Sequence, residues 1–208
     1  MVDRNMSSHQ GHISVIVLAA GKSTRFGSNK LLFKLNDETL IEHVAKSGIR
    51  SKADEVIVVV GYEADKIVKA LKGLPCKIVL NPVFERGQSS SVIAGVRFVK
   101  DQAKAVIILP GDMPLMRAEY VDKVVDEYRS SEYPIVVASF QGRMGHPILI
   151  DAGLFDEVLR IGEERCGLRE ITRRHHPELK LVETGSSEVL ADVDCQDDIQ
   201  KIKGSYLA

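Results

Sequence analysis

Val15-Ile16-Val17-Leu18-Ala19-Ala20-Gly21-Lys22-Ser23-Thr24-Arg25-Phe26-Gly27-Ser28-Asn29-Lys30 joins an unbroken apolar run to a loop with two glycines and three cations. Residues 13–20, with Ser14 the one polar position, read as a strand buried on both faces. Small residues at its end let a ligand approach the backbone. Gly21 and Gly27 permit φ values that a side chain would forbid. Backbone N–H groups in such a loop can point inward at an anion. Lys22, Arg25 and Lys30 add mobile positive charge beside them. A loop of this composition suits a polyphosphate. Its spacing is not that of a Walker loop, because five residues separate Gly21 from Gly27 and the lysine comes three positions later. The dinucleotide fingerprint G-x-G-x-x-G is absent as well.

Working outward, apolar runs and amphipathic stretches alternate. Leu40, Ile41, Val44, Ala45 and Ile49 recur at helical spacing after the turn chemistry of Asn36-Asp37-Glu38-Thr39. Val56 to Val60 is a second buried strand, residues 63–71 a helix, and Lys77 to Leu80 a shorter strand. Gly87, Ser89, Ser90 and Ser91 then precede a helical stripe of Val92, Ile93, Val96 and Val99. Glycine and serines at a helix start gather free N–H groups and hydroxyls in one place. Ala105 to Leu109 is a fourth strand, ending in Pro110-Gly111-Asp112-Met113-Pro114. A carboxylate there lies where open α/β sheets bind ligands. With a phosphate loop earlier in the chain, Asp112 reads as a metal ligand. A helix over 119–128, a strand over 134–138 and the segment Arg143-Met144-Gly145-His146-Pro147 follow. Residues 154–159 and 168–174 read as short helices, 179–182 as a last strand. Arg165, Arg169, Arg173 and Arg174 give local positive charge.

The alternation predicts a three-layer α/β fold with a mostly parallel sheet. The 208 residues suit one domain over 13–208, preceded by a polar, disordered tail at 1–12. A net charge of −1 favours neither nucleic acid nor an anionic membrane, and no apolar run reaches the roughly 20 residues that span a bilayer. Cys76, Cys166 and Cys195 form no C-x-x-C pair; an odd, sparse count suits a reducing cytoplasm. His175 and His176 are adjacent, so their side chains diverge, and a zinc site is not expected there.

The opening stretch resembles Leu-Ala-Ala-Gly-x-Ser-x-Arg-Met-Gly-x-x-Lys, the signature of nucleotidyltransferases related to the molybdenum cofactor cytidylyltransferases. Phe26 stands for the usual methionine. The family's Gly-x-Ser-x-Ser pattern matches Gly87, Ser89 and Ser91. Its Gly-Asp-x-Pro-Leu motif matches residues 111–115, and its Gly-Arg-x-Gly-His-Pro segment matches residues 142–147. Near the end, Cys195 and Gln196 replace the family's threonine and proline, which marks the helix start less strongly. The resemblance spans about residues 13–200 and implies a Rossmann-like nucleotidyltransferase fold.

The resemblance also implies a reaction: CMP passes from CTP to the phosphate of molybdopterin cofactor, releasing pyrophosphate. Leu18, Ala19, Ala20, Gly21, Lys22 and Ser23 would cradle phosphate, with Arg25 and Lys30 offsetting charge. Gly87, Ser89 and Ser91 would help seat the nucleoside. Asp112 and Asp194 would hold Mg2+, with Asp192 structural, while Arg143 and His146 would face the acceptor. Arg25, Lys30 and Asp112 are the candidate catalytic residues. A molybdoenzyme or its chaperone is the implied protein partner. Ala20, where the guanylyltransferase branch has glycine, leans the reading toward cytidine. Three alternatives stay open: a guanylyl- or sugar-phosphate nucleotidyltransferase, a redox enzyme on a doubly wound sheet, and a non-catalytic nucleotide sensor.

Overall fold

A computed structural model describes residues 11–206. The predicted tail at 1–12 falls mostly outside them. His12 is attached to the fold: its carbonyl accepts from Lys104 N at 2.7 Å, and its Nε2 lies 2.9 Å from Glu55 Oε1.

The polyphosphate-loop strand becomes β1 (Ile13–Ala19), every residue of it buried. Short strands β2 (Lys34–Leu35) and β3 (Glu38–Thr39) pair with each other, apart from the main sheet. Helix α1 (Leu40–Ile49) follows, then β4 (Glu55–Val60), α2 (Ala64–Ala70), β5 (Lys77–Leu80), α3 (Gln88–Val99) and β6 (Ala105–Pro110). The second half runs α4 (Ala118–Ser130), β7 (Ile135–Phe140), β8 (Arg143–Asp151), α5 (Phe155–Val158), α6 (Leu168–Arg174), β9 (Leu179–Glu183) and α7 (Gln196–Tyr206). Seven strands form one sheet in the order β5-β4-β1-β6-β8-β7-β9. All run parallel except β8, which is antiparallel to both β6 and β7.

Alternation along β1 builds two core layers. Ile13, Val15, Val17 and Ala19 pack with α1, α2 and α4 residues such as Val44, Ile67 and Val124. Ile16 and Leu18 face the opposite layer, with Val92, Val96 and Val99 of α3, Val158 of α5 and Ile171 of α6. Helices on both faces explain why β1, β4 and β6 read as continuous apolar runs rather than alternating ones. The α1 start is set by a capping box, in which Thr39 accepts from Glu42 N while the Glu42 carboxylate accepts from Thr39 N at 2.8 Å. The reversal of β8 is made by Gln141 and Gly142, both at positive φ (50° and 74°), a two-residue hairpin turn. Among the described residues, no helix is long and apolar enough to cross a membrane.

His175 terminates α6 between two carboxylates, Glu178 Oε2 at 2.9 Å and Glu157 Oε1 at 3.1 Å. Where the sequence reads as solvated surface, His175 forms an ion-pair knot. Hydrogen bonds to Glu178 and then Glu157 hold the imidazole above its ordinary pKa, against partial burial. A raised native value means that the stabilisation is complete below about pH 6.5, the unfolded value, and is lost as pH rises through the native one. With Glu178 exposed, the contribution is about 0.5–1 kcal/mol. His175→Gln should therefore lower Tm by about 1–4 °C at pH 5.5 and by less at pH 8.5. An equal loss at both values would show that the ring acts by packing alone.

Candidate active site

The parallel strands β1 and β6 end side by side, with Leu18 registered against Pro110. Gly111 N donates to Leu18 O at 2.9 Å, and a Cβ on Gly111 would lie 2.7 Å from that oxygen. The glycine therefore keeps the two strand ends in register and delivers Asp112 to the carboxyl edge of the sheet. This is the edge at which open α/β sheets bind ligands.

Above it lies a cleft of about 410 Å³, within the range of small-molecule sites. Its walls come from the loop after β1, the start of α3, the end of β6 and the segment before α7. Of the sequence-predicted residues, Leu18, Ala20, Gly21, Lys22, Ser23, Arg25, Lys30, Gly87, Ser91, Asp112 and Asp194 all line it. Ala19 does not; its side chain is 1% exposed and belongs to the core layer with α1 and α4. The loop turns differently from expectation. Gly27 has φ 80°, but the other positive φ belongs to Ser23 (52°) and not to Gly21. No atom beyond its chain neighbours lies within 4 Å of where a Cβ on Gly21 would be, which leaves bare backbone open to the cleft.

The charges converge. Asn29 accepts from Leu31 N and so starts the short 3₁₀ turn that carries Lys30. Lys30 Nζ lies 2.7 Å from Asp112 Oδ2 and 3.5 Å from Asp194 Oδ1, and donates to Val193 O. The Lys30 side chain is only 13% exposed, so this contact is partly shielded from water. Arg25 donates two hydrogen bonds to Asp194, each 2.9 Å long, across 169 positions of sequence. Asp194 is held in place by its own backbone. Val193 N donates to Asp112 O at 2.9 Å, while the Asp198 carboxylate accepts from Asp194 N and Cys195 N. Asp198 thus supplies the helix-start chemistry that Cys195 and Gln196 lack.

Asp192 is solvent-exposed, yet its carboxyl sits above the ordinary aspartate range. Partial desolvation is the larger cause, and facing Asp112 and Asp194 adds to it. Asp112 and Asp194 thus flank one ammonium group, with Asp192 near enough to feel all three. Among the described residues, no set of three or more His, Cys, Asp and Glu side chains is arranged to hold a metal ion. Two carboxylates sharing one cation nevertheless match what Mg2+ asks of a protein, because it retains waters and takes further oxygens from substrate phosphates.

Lys22, the outermost loop cation, pairs with Glu85 at 2.5 Å and lies over the Phe84 ring. Ser91 and Ser90 both accept hydrogen bonds from Asn81 Nδ2, so these serines also fix the chain before α3. None of the serines caps α3; its N-cap is Gly87, at φ 93°. Ser89 points away from the first cleft into a second cavity of about 440 Å³, which also holds His146. Burial pushes the His146 imidazole down to about 4, helped by Arg169 and opposed by Asp112, so it is neutral at physiological pH. Arg143 is exposed at the start of β8 and lines neither cavity.

Sequence reasoning left out Gln88, which lines both cavities, and Glu163, Cys166, Arg169 and Thr172 of the second. Gln88 was findable, since it stands between two chosen residues.

The MobA-like NTP transferase domain model matches residues 15–179. The chain belongs to that family. Over 155 residues the chain is 32% identical to "Bifunctional protein GlmU" of Francisella tularensis subsp. novicida, covering 74% of this chain and 33% of that protein. The chain thus spans about a third of the length of the curated relatives it matches. Among solved structures, the Mycobacterium tuberculosis Rv0371c homolog from Mycobacterium sp. strain JC1 superposes with a TM-score of 0.80 at 26% identity, covering 94% of this chain and 96% of that one. A nucleotidyl transferase from Methanothermobacter gives 0.82 at 24% identity, covering 95% and 99%. The fold is the Rossmann-like nucleotidyltransferase fold, and residues 15–179 form its NTP transferase domain.

Proposed function

We propose that this protein is a Mg2+-dependent molybdenum cofactor cytidylyltransferase, which moves CMP from CTP to the phosphate of molybdopterin cofactor. The observation that carries the reading is the convergence of Asp112 and Asp194 on Lys30 beneath the glycine loop. In the reaction, a phosphate oxygen of the acceptor forms a bond to the α-phosphorus of the nucleotide. The bond from the α-phosphorus to the oxygen bridging it to the β-phosphorus breaks, and pyrophosphate leaves with that electron pair. Such transfer needs positioning and charge neutralisation more than proton transfer.

The chain supplies both. Backbone from Ala20 to Ser23 receives the triphosphate, while Lys30 and Arg25 offset charge on the departing pyrophosphate. Gly87 and Ser91 border the nucleoside end of the cleft. Neutral His146 can donate or accept one hydrogen bond to the acceptor without adding charge. Mg2+, held by Asp112 and Asp194, would supply charge neutralisation on the phosphates. The three cysteines are free thiols, which supports a reducing cytoplasmic setting. The product would pass to a molybdoenzyme or its chaperone.

The base preference is testable. Ala20 lines the cleft and is 3% exposed, and a Cβ on Gly61 would come within 2.9 Å of the Ala20 methyl. That methyl group is packed over Gly61 at the cleft wall, and on the proposed reading glycine in its place would give the wall the extra room a purine needs more than a pyrimidine. One contact of this size is worth about 1–3 kcal/mol, or about 10- to 200-fold. Turnover with each nucleoside triphosphate and a panel of phosphorylated acceptors, followed by pyrophosphate release, should give the highest kcat/KM for CTP with molybdopterin cofactor. A preference for GTP, or for a sugar phosphate as acceptor, would move the assignment to another branch of the family. Binding of nucleotide with no turnover on any acceptor would make the protein a sensor.

A further inference from the structure

The second cavity holds a charge arrangement that the mechanism above does not use. It abuts the nucleotide cleft, with Leu18 and Gln88 common to both. The Ser89 residue is 4% exposed, and its hydroxyl is buried with no hydrogen-bond partner. It faces Gly167, where a Cβ would lie 2.7 Å from the Ser89 oxygen. A buried, unpartnered hydroxyl is costly unless something else completes it.

Ser89 is the second residue of α3, a helix of 12 residues, where first-turn N–H groups lack the acceptor four residues back that later ones have. The Ser89 N–H donates to the Glu163 carboxylate. The side chain of Glu163 lies so close to Gly87 that a Cβ on that glycine would run into it. Glu163 reaches this place from an exposed turn and makes no ion pair among the described residues. An anion is thus seated at a helix start with no cation opposite.

A cation lines the same cavity. Arg165 is tied to Glu164 and Glu170, and Arg174 to Glu157 and Glu170. Arg169, between them in sequence, has no carboxylate partner among the described residues and lines the cavity. His146 lines the same cavity and feels the charges of both Asp112 and Arg169.

We infer that this cavity takes a phosphate group of the acceptor, bound by Arg169, the Ser89 hydroxyl and the α3 N-terminus, and that Glu163 holds the anion's place until the acceptor displaces it. Calling the ligand an acceptor rests on the nucleotidyl-transfer reading; the phosphate site itself does not. A phosphate oxygen would accept from the Ser89 N–H now given to Glu163, and a second oxygen from the Ser89 O–H. The guanidinium fork of Arg169 can donate to the same two oxygens, leaving the third terminal oxygen to attack the α-phosphorus. The exchange sets specificity as well, since a neutral acceptor could not compete with the tethered carboxylate.

The test uses the full chain with inorganic phosphate and no metal, read by amide NMR at constant pH. Signals of Ser89 and Gly167 report this site, and those of Gly21 and Ser23 report the nucleotide loop. Phosphate should shift both sets as separate saturable events. Arg169→Gln should weaken the Ser89 event about tenfold or more, with partial recovery in Arg169→Lys, and Glu163→Gln should tighten it about three- to tenfold. A response confined to Gly21 and Ser23, equal affinity in wild type and Arg169→Gln, or weaker binding in Glu163→Gln would each overturn the inference. In turnover, Arg169→Gln should raise the acceptor KM about tenfold and leave the nucleotide KM unchanged. An active variant with both KM values unchanged would also overturn it. If phosphate binds as described while no nucleotide–acceptor pair turns over, the functional reading falls and the anion site stands.

Discussion

Asp112→Asn should reduce kcat/KM for nucleotidyl transfer about a thousandfold or more while the protein stays folded. The substitution keeps the size of a side chain that is only 23% exposed. It also keeps the backbone carbonyl that accepts from Val193 N, so the segment carrying Asp194 stays docked. What disappears is one of the two charges that would hold Mg2+ against the phosphates. A divalent ion contributes several kcal/mol of transition-state charge stabilisation, and each 1.36 kcal/mol is tenfold in rate. The loss on folding is smaller, about 1 kcal/mol for one partly exposed ion pair, because Lys30 retains the Val193 carbonyl and Asp194. Steady-state rates at several Mg2+ concentrations and a thermal melt separate the two effects. Recovery to near wild-type rates at saturating Mg2+ would remove Asp112 from the metal site. A collapsed melt would make the residue structural instead.

Much of this arrangement could be read from residue order. Continuous β-branched runs at Val56 to Val60 and Ala105 to Leu109 can be buried only as central strands, so the parallel half of the sheet was legible. Asp112 was legible for the same reason, since the end of such a strand is a ligand-binding edge. The direction of β8 was not. Gln141-Gly142 lacks the Asn-Gly or Asp-Gly that marks a tight hairpin, and Pro147 within the run disguises the strand. The pairing of Arg25 with Asp194 spans nearly the whole chain, and no local periodicity encodes so distant a contact. Gly21 misled in detail, because Ser23 takes the left-handed conformation instead. Glu163 and Arg169 were invisible as site residues for a different reason. In sequence they sit among Glu163-Glu164-Arg165 and Leu168-Arg169-Glu170, where alternating charge reads as a solvated face. Only the packing of that turn against α3 distinguishes the charges that are paired from those that are not.

Lys30→Met should separate cation binding from catalysis, which Asp112→Asn cannot do. In the free protein, the Lys30 ammonium occupies the position between Asp112 and Asp194 where a divalent cation would compete for the same oxygens. Removing the ammonium leaves two carboxylates facing each other, with Asp192 adding a third negative group nearby. Binding of Mn2+, used as a spectroscopic probe, should then be unchanged or tighter. Catalysis should move the opposite way. Lys30 is 13% exposed, so in the proposed reaction its charge would act on the departing pyrophosphate with little screening by water. Losing one such preorganised group costs about a hundred- to a thousandfold in kcat. Arg25→Ala should cost less, because Arg25 is 75% exposed, and Lys22→Ala least, because Lys22 is engaged with Glu85 at the rim. The measurements are Mn2+ affinity by electron paramagnetic resonance and kcat/KM for the three variants under identical conditions. Equal, small losses in all three would mean that the loop carries only solvated charge. Parallel loss of Mn2+ binding and activity in Lys30→Met would mean that the lysine positions the aspartates rather than acting on the leaving group.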